Sequence, residues 1–275
     1  MNEADPIANV STPSSGRFYL QFGNAQHQGA RNYQEDYFGF SDTSSETIEE
    51  RGMLAVLCDG MGGLKGGRET AIETVSDILN FFKGSDFRYN FRVNMSQAVS
   101  SVNSKILSKY NTDRINTGCT LSAAYVFENK LYWACVGDSH IYLVRDGHMY
   151  ALNEDHDYLN QLFDKCISGD LSLKKALSDP QKDSLASYIG CKKLKCDISN
   201  TGLVLCENDT VVLCSDGVYN SISECEMLRY IDKNEVHNAC DQIVKNIALK
   251  AKANQDNMTV MMIRIKATPS NPKKQ

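Results

Sequence analysis

Residues 53–58 (MLAVLC) are apolar without a break and stop at Asp59-Gly60; residues 210–214 (TVVLC) are built alike and stop just before Asp216-Gly217. A short apolar run ended by a turn pair reads as a buried strand. Residues 258–265 (MTVMMIRI) form a third such run near the end of the chain. Residues 119–127 and 130–136 flank Glu128-Asn129, and 140–144 and 148–152 flank Arg145-Asp146-Gly147. Both sets read as hairpins, Asp-Gly being a strong signal for one. Helical spacing appears between the strands. Ala71, Val75, Ile78 and Phe82 share one helix face, as do Met95, Val99, Val102, Ile106 and Tyr110 in a helix predicted over 93–110. Val236, Cys240, Ile243 and Ile247 mark another over 235–251. Strands that cluster, with helices in pairs between them, exclude regular β-α-β alternation and predict an α+β fold of antiparallel sheets covered by helices. The first and last strands must share its core, so contact order is expected to be high.

No Pro- or Gly-rich linker divides the chain, so residues 17–266 read as one domain between loose tails, 1–16 and 267–275. With 42% hydrophobic and 23% charged residues, disorder of the whole chain is excluded. The longest apolar runs are far shorter than the roughly 20 residues that span a bilayer. The polar start, MNEADPIANVSTPSSG, has neither the basic nor the apolar part of a secretory signal. A cytoplasmic protein without a membrane partner is expected. The net charge of −5 argues against a broad grip on nucleic acid, while a small phosphorylated ligand needs only one or two local cations. The ten cysteines contain no CxxC pair, and several sit inside strand-like runs. They read as reduced, buried thiols.

Chemistry enters with the aspartates. Asp59 follows VLC, Asp138 follows WACVG, Asp216 follows VVLCS, Asp256 precedes the last strand, and Asp36 sits in RNYQED. Strand ends carry side chains to a rim, where sites form. Asp-Gly is also an ordinary turn pair, and Asp an ordinary helix cap. If these strand ends converge, the carboxylates raise one another's pKa, and a divalent cation relieves the repulsion. Oxygen-only ligands favour Mg2+ or Mn2+. The five histidines are scattered and offer no rival cluster.

RNYQED (31–36), LCDGMGG (57–63), TGCT (117–120), VGDSH (136–140), EDHD (154–157), CSDGVYN (214–220) and QDNMT (255–259) stand in an order and spacing that resemble metal-dependent protein serine/threonine phosphatases of the PP2C type. DGMGG resembles the bacterial branch, where animal enzymes carry DGHGG. The resemblance covers about residues 20–265. It implies a PP2C-like α-β-β-α sandwich, two antiparallel sheets flanked by helices. It implies hydrolysis of phosphoserine and phosphothreonine in proteins by a metal-activated water, without a phosphoenzyme. By the same resemblance Asp59 bridges two Mn2+ or Mg2+ ions, and the Gly60 carbonyl, Asp216 and Asp256 complete the ligands. Glu35 and Asp36 hold waters of the metal shell, Asp138 belongs to a third, looser ion, and Arg31 holds the substrate phosphate. The catalytic set is thus Arg31, Glu35, Asp36 and Asp59. Residues 157–190 resemble the flap beside the active site, with Leu159, Leu162 and Phe163 on a short docked helix. A phosphorylated protein substrate, a cognate serine/threonine kinase and a monomeric state are implied.

The sequence departs from the family pattern at Gln34, where Asn is frequent, and at His140, where Arg is common. Met61 replaces the His proposed as general acid in animal enzymes, and Met has no proton to donate. His156 serves as an acid only if its loop folds inward; otherwise it is structural or at the surface. Cys58 lacks the Cys-x5-Arg spacing of a thiolate phosphatase and reads as core. GMGGLKGG, with Lys65 and Arg68, lacks the spacing of a nucleotide-binding P-loop. Two other functions compete with the phosphatase: an inactive regulatory module of the same fold, and a small-molecule phosphoesterase. A mere scaffold has no need of Asp59, Asp138, Asp216, Asp256 and Arg31 together.

Overall fold

The computed structural model describes residues 12–14, 18–61, 66–110, 117–182, 184–250 and 253–267. Strands β1 (Thr12–Ser14), β2 (Phe18–His27) and β3 (Tyr37–Phe40) lead to helix α1 (Ser45–Arg51), β4 (Met53–Cys58) and the two-residue β5 (Gly60–Met61). Helices α2 (Gly66–Gly84) and α3 (Phe87–Tyr110) follow, then β6 (Gly118–Cys119). A meander comes next: β7 (Leu121–Phe127), β8 (Lys130–Val136), β9 (His140–Arg145) and β10 (His148–Ala151). After α4 (Tyr158–Ile167), α5 (Leu173–Leu177), β11 (Asp197–Ile198) and β12 (Leu203–Val204) comes β13 (Thr210–Cys214). Helices α6 (Asp216–Tyr219), α7 (Glu224–Lys233) and α8 (Val236–Leu249) precede β14 (Met258–Ala267).

Two antiparallel sheets result. One runs β1-β2-β14-β13-β9-β10; the other runs β11-β8-β7-β4-β3, with β12 also on β8. Successive strand residues point to opposite faces, and that explains the unbroken apolar runs. In β4, Met53, Ala55 and Leu57 enter the layer between the sheets, while Leu54, Val56 and Cys58 meet α2 and α3. In β14, Met261, Ile263 and Ile265 enter that same layer, and Met258, Val260 and Met262 pack with the buried residues of α7 and α8. Both faces of these central strands are buried, so neither needs polar residues. The α-β-β-α sandwich expected from the sequence is the observed fold, and β2 and β14 pair along their whole lengths.

Some expectations change. Thr12–Ser14, assigned to a tail, pair with β2 as β1, and Ala267 is the last residue of β14; the rest of both tails lies outside the described residues. The strand expected over 119–127 is broken at Thr120 into β6 and β7, because Thr120 bonds to Asp59. The helix expected over 93–110 begins at Phe87, through a non-helical Asn90, since Phe87 and Phe91 also enter the core. The run ending at Cys214 leads directly into the helical turn α6. All ten cysteines are free thiols. Among the described residues no helix is long and apolar enough to cross a membrane.

Candidate active site

Asp59 stands where β4 leaves the core. Its N–H donates to Thr120 Oγ1 and its carbonyl accepts the Thr120 N–H, both at 2.9 Å. Thr120 Oγ1 is 2.8 Å from Ser139 Oγ, so the residue after Asp138 belongs to the same network. Gly60 pairs with Cys119 across β5 and β6. A Cβ at Gly60 would lie 2.5 Å from the Gly67 carbonyl and 2.6 Å from that of Glu35. Only glycine lets the first turn of α2, the end of β4 and the 31–36 segment meet this closely.

The other wall comes from β13 and the segment before β14. Asp216 is the first residue of α6. A Cβ on Gly217 would lie 1.9 Å from the Asn257 carbonyl, so this turn rests directly on Asp256-Asn257. Asn257 ties the site together. Its Oδ1 accepts the Glu35 N–H (2.8 Å), and its Nδ2 donates to the carbonyls of Gln28 (2.7 Å) and Tyr33 (3.0 Å). Arg31 Nη2 donates to Asp256 Oδ2 at 2.5 Å, with 55% of the arginine side chain exposed.

Arg31, Glu35, Asp59, Gly60, Asp138, Asp216 and Asp256 all line one cavity of about 280 Å3, with Met61, Thr120, Leu185 and Asn257. Seven residues singled out in the sequence thus meet. Asp36 does not join them. It is buried (2% exposed), and its Oδ2 accepts hydroxyl protons from Ser215 (2.8 Å) and Thr259 (2.7 Å). The two hydroxyls draw the carboxylate into the protein behind the cavity, and its Oδ1 has no protein partner.

The carboxylates perturb one another. Burial, then the charges of Asp36, Asp216, Asp138 and Asp256, push Asp59 well above the ordinary range. Burial, then Asp216 and Asp155, push Asp138 up to about 6. Asp216 is raised by burial and Asp256, and Glu35 by burial against the opposing pull of Arg31. Asp36 reaches about 7 through burial, although its two hydroxyl bonds oppose the shift.

The residues that depart from the family pattern also find places. His156 is 3% exposed; its Nδ1 accepts the Gly137 N–H (3.2 Å) and its carbonyl accepts N–H groups from Ala186 and Ser187. It joins the loop before Asp138 to the segment around Ala186 and Ser187, a structural role. In the segment expected to form a flap, α4 starts on the cap Asp157, Leu162 is buried, and Leu159 and Phe163 are half-buried. Leu185 reaches the cavity. Gly62, Gly63 and Lys65 lie outside the described residues; Arg68 donates to the Gln34 carbonyl (3.0 Å). A larger hollow of about 520 Å3 adjoins Arg145 and Arg264. Arg264 donates to the carbonyls of Ile231 and Asn234 at the end of α7, so its charge already serves as a helix cap.

Comparison with known proteins bears on this geometry. The family model for protein phosphatase 2C matches residues 21–162, more than half of the chain. The chain belongs to the PP2C family. It is 26% identical over 239 residues to the serine/threonine phosphatase stp of Listeria innocua, covering 85% of this chain and 90% of that one. The serine/threonine phosphatase of S. agalactiae superposes with a TM-score of 0.76 at 26% identity, over 90% of this chain and 99% of the other. The catalytic domain of the phosphatase PstP, solved with two manganese ions, has the same fold (TM-score 0.70, 22% identity, 90% and 99% covered).

PP2C proteins are metal-dependent, and the donor set here fits hard cations. Five acidic residues and Gly60 line the cavity without a histidine or cysteine. Glu35 Oε1 and Asp36 Oδ1 are buried oxygens without a protein partner. Among the described residues no three of His, Cys, Asp or Glu form a closed metal cage in this arrangement. Asp256 meanwhile accepts from Arg31 and from the Asn257 N–H. Sequence reading passed over Thr120, Ser215, Asn257 and Thr259 as supports, although TGCT, CSDGVYN and QDNMT contain them.

Proposed function

We propose that this PP2C-family protein hydrolyses phosphoserine and phosphothreonine in proteins, using two divalent cations held at Asp59, the Gly60 carbonyl, Asp216 and Asp256. The carrying observation is that five carboxylates, four of them raised by burial and by neighbouring negative charge, share a single cavity with one exposed arginine. Bound there, Mn2+ or Mg2+ would neutralise the phosphate and acidify a water for in-line attack.

The chain's own residues supply the rest. Arg31 presents a planar fork that fits two phosphate oxygens. Its contact with Asp256 is half-exposed and weak, so it releases readily to substrate. Glu35, its N–H fixed by Asn257, lines the cavity, where its carboxylate would accept a hydrogen bond from a water of the metal shell. Asp36, from behind, adds negative charge that favours cations over bare carboxylates. Asp138 offers a further oxygen for a third ion. Met61 lines the cavity without a proton to give, so protonation of the leaving oxygen falls to water.

The ten free thiols suit a reducing cytoplasm, where a cognate kinase would supply the phosphoprotein to a monomeric enzyme. Hydrolysis of a phosphothreonine peptide with Mn2+, with Mg2+ and with EDTA tests the proposal, beside a phosphate bis-ester. Metal-dependent release from the peptide is expected; turnover of the bis-ester alone would favour a small-molecule phosphoesterase, and no turnover of either a regulatory module.

A further inference from the structure

Asp138 and Asp216 reach the cavity from neighbouring strands. β13 and β9 run antiparallel with Cys214 opposite His140. Asp216 lies two residues after the first, and Asp138 two residues before the second. The strand register therefore brings two like charges to the same end of the sheet. Repulsion would splay them unless something outside the carboxylates holds the two loops together.

Tyr219 and His140 do so. Helix α6 is a single turn with Asp216 at its start and Tyr219 at its end. The Tyr219 hydroxyl donates to the backbone carbonyl of Asp138 (3.1 Å). Its ring lies flat on the His140 imidazole, with centroids 3.9 Å apart and planes 11° from parallel. His140 is itself fixed at its edge: Nδ1 is 2.6 Å from the Tyr142 hydroxyl, and Nε2 is 2.8 Å from Asp155 Oδ1. Both ring nitrogens are engaged, so His140 has none left to serve as an acid toward substrate.

We propose that Tyr219 and His140 are a positioning pair, whose stack and hydrogen bond to the Asp138 loop set the separation of Asp138 from Asp216 and so the shape of the cation-binding side of the cavity. This rests on the reading of the carboxylate cluster as a divalent-cation site. It assigns work to His140, where the family commonly has Arg, and to Tyr219, neither of which touches the reacting atoms.

A contact that served stability alone would lower the melting temperature and leave cation binding intact. The test is calorimetric titration of the purified full chain with Mn2+, beside melting curves in EDTA and the Mn2+ dependence of peptide hydrolysis. Tyr219→Phe keeps the ring and loses the hydrogen bond; Tyr219→Leu loses both. Mn2+ binding is expected to weaken about 3–10-fold in Tyr219→Phe, the scale of one hydrogen bond, and further in Tyr219→Leu. The Mn2+ concentration for half-maximal rate should rise by the same factors, with a smaller change in the rate at saturation. Isotherms that superimpose on the wild type overturn the proposal even if the melting temperature falls. If Tyr219→Leu does not fold, Tyr219→Phe decides alone. A wild type that binds no Mn2+ overturns the cation-site reading and this inference with it; a wild type that binds, with unchanged variants, overturns only the inference.

Discussion

Asp59 and Thr120 exchange two hydrogen bonds, N–H to Oγ1 and N–H to carbonyl, each at 2.9 Å. The carboxylate expected to bridge two cations is thus set by a residue that interrupts the neighbouring strand. Thr120→Val would leave the buried Asp59 N–H and Ser139 Oγ short of a partner. A loss of about 1–3 kcal/mol in stability is expected. Catalysis should fall by roughly 10-fold to 10²-fold, since displacement of a reacting group by about 1 Å costs on that order. Thr120→Ser, which keeps the oxygen, should restore most of both. Urea melts beside steady-state kinetics check this, and a Ser variant as impaired as Val would remove the hydroxyl from the account.

On the proposed reading, Arg31 bears on substrate more than on fold. Its ion pair with Asp256 is half-exposed and adds little stability. Arg31→Ala should lower kcat/KM by about 10–150-fold, the worth of charge-assisted hydrogen bonds to phosphate. Mn2+ affinity should change little. Equal losses in metal and substrate binding would instead make Arg31 a support for the carboxylates.

The chain revealed its central strands because both of their faces are buried, as in Met53–Cys58 and Thr210–Cys214. It revealed the strand-end aspartates for the same reason, since an unbroken apolar run makes the first charged residue conspicuous. Asp36 was harder to place. Its withdrawal depends on Ser215 and Thr259, 179 and 223 residues away in sequence. Helix α6 is too short to show a period. Helix α7 buries only Met227 and Ile231, yet its capping box, Ser223 and Glu226, stood in the sequence as a usable signal. The His140–Tyr219 stack left no local trace.

The metal-free protein should lose stability as pH rises through neutrality. Asp36 and Asp138 are pushed up to about 7 and about 6, chiefly by burial. The folded chain holds these protons more tightly than the unfolded chain, whose carboxyls titrate near about 3.9. Their contribution is complete below about pH 4 and is lost as pH rises through about 6 to 7. His156, lowered by burial, acts in the opposite sense. Glu73, whose burial is outweighed by hydrogen bonds from Lys105, Lys109 and Tyr110, is drawn down to about 2 and titrates below this window. The difference between wild type and Asp138→Asn isolates one group. In EDTA the variant should gain melting temperature relative to wild type between about pH 4 and about pH 6.5, with little further change above that. A constant difference would mean that Asp138 titrates normally.

The most direct measurement is hydrolysis of a phosphothreonine peptide by wild type and Asp59→Asn, each demetallated and then titrated with Mn2+. The wild type should be silent in EDTA and recover with Mn2+. Asp59→Asn should stay lower by about 10²-fold or more, on the scale of losing one electrostatic stabiliser, with an unchanged circular-dichroism spectrum. Full turnover by the demetallated wild type, or by Asp59→Asn, would contradict a metal-dependent reaction centred on this carboxylate.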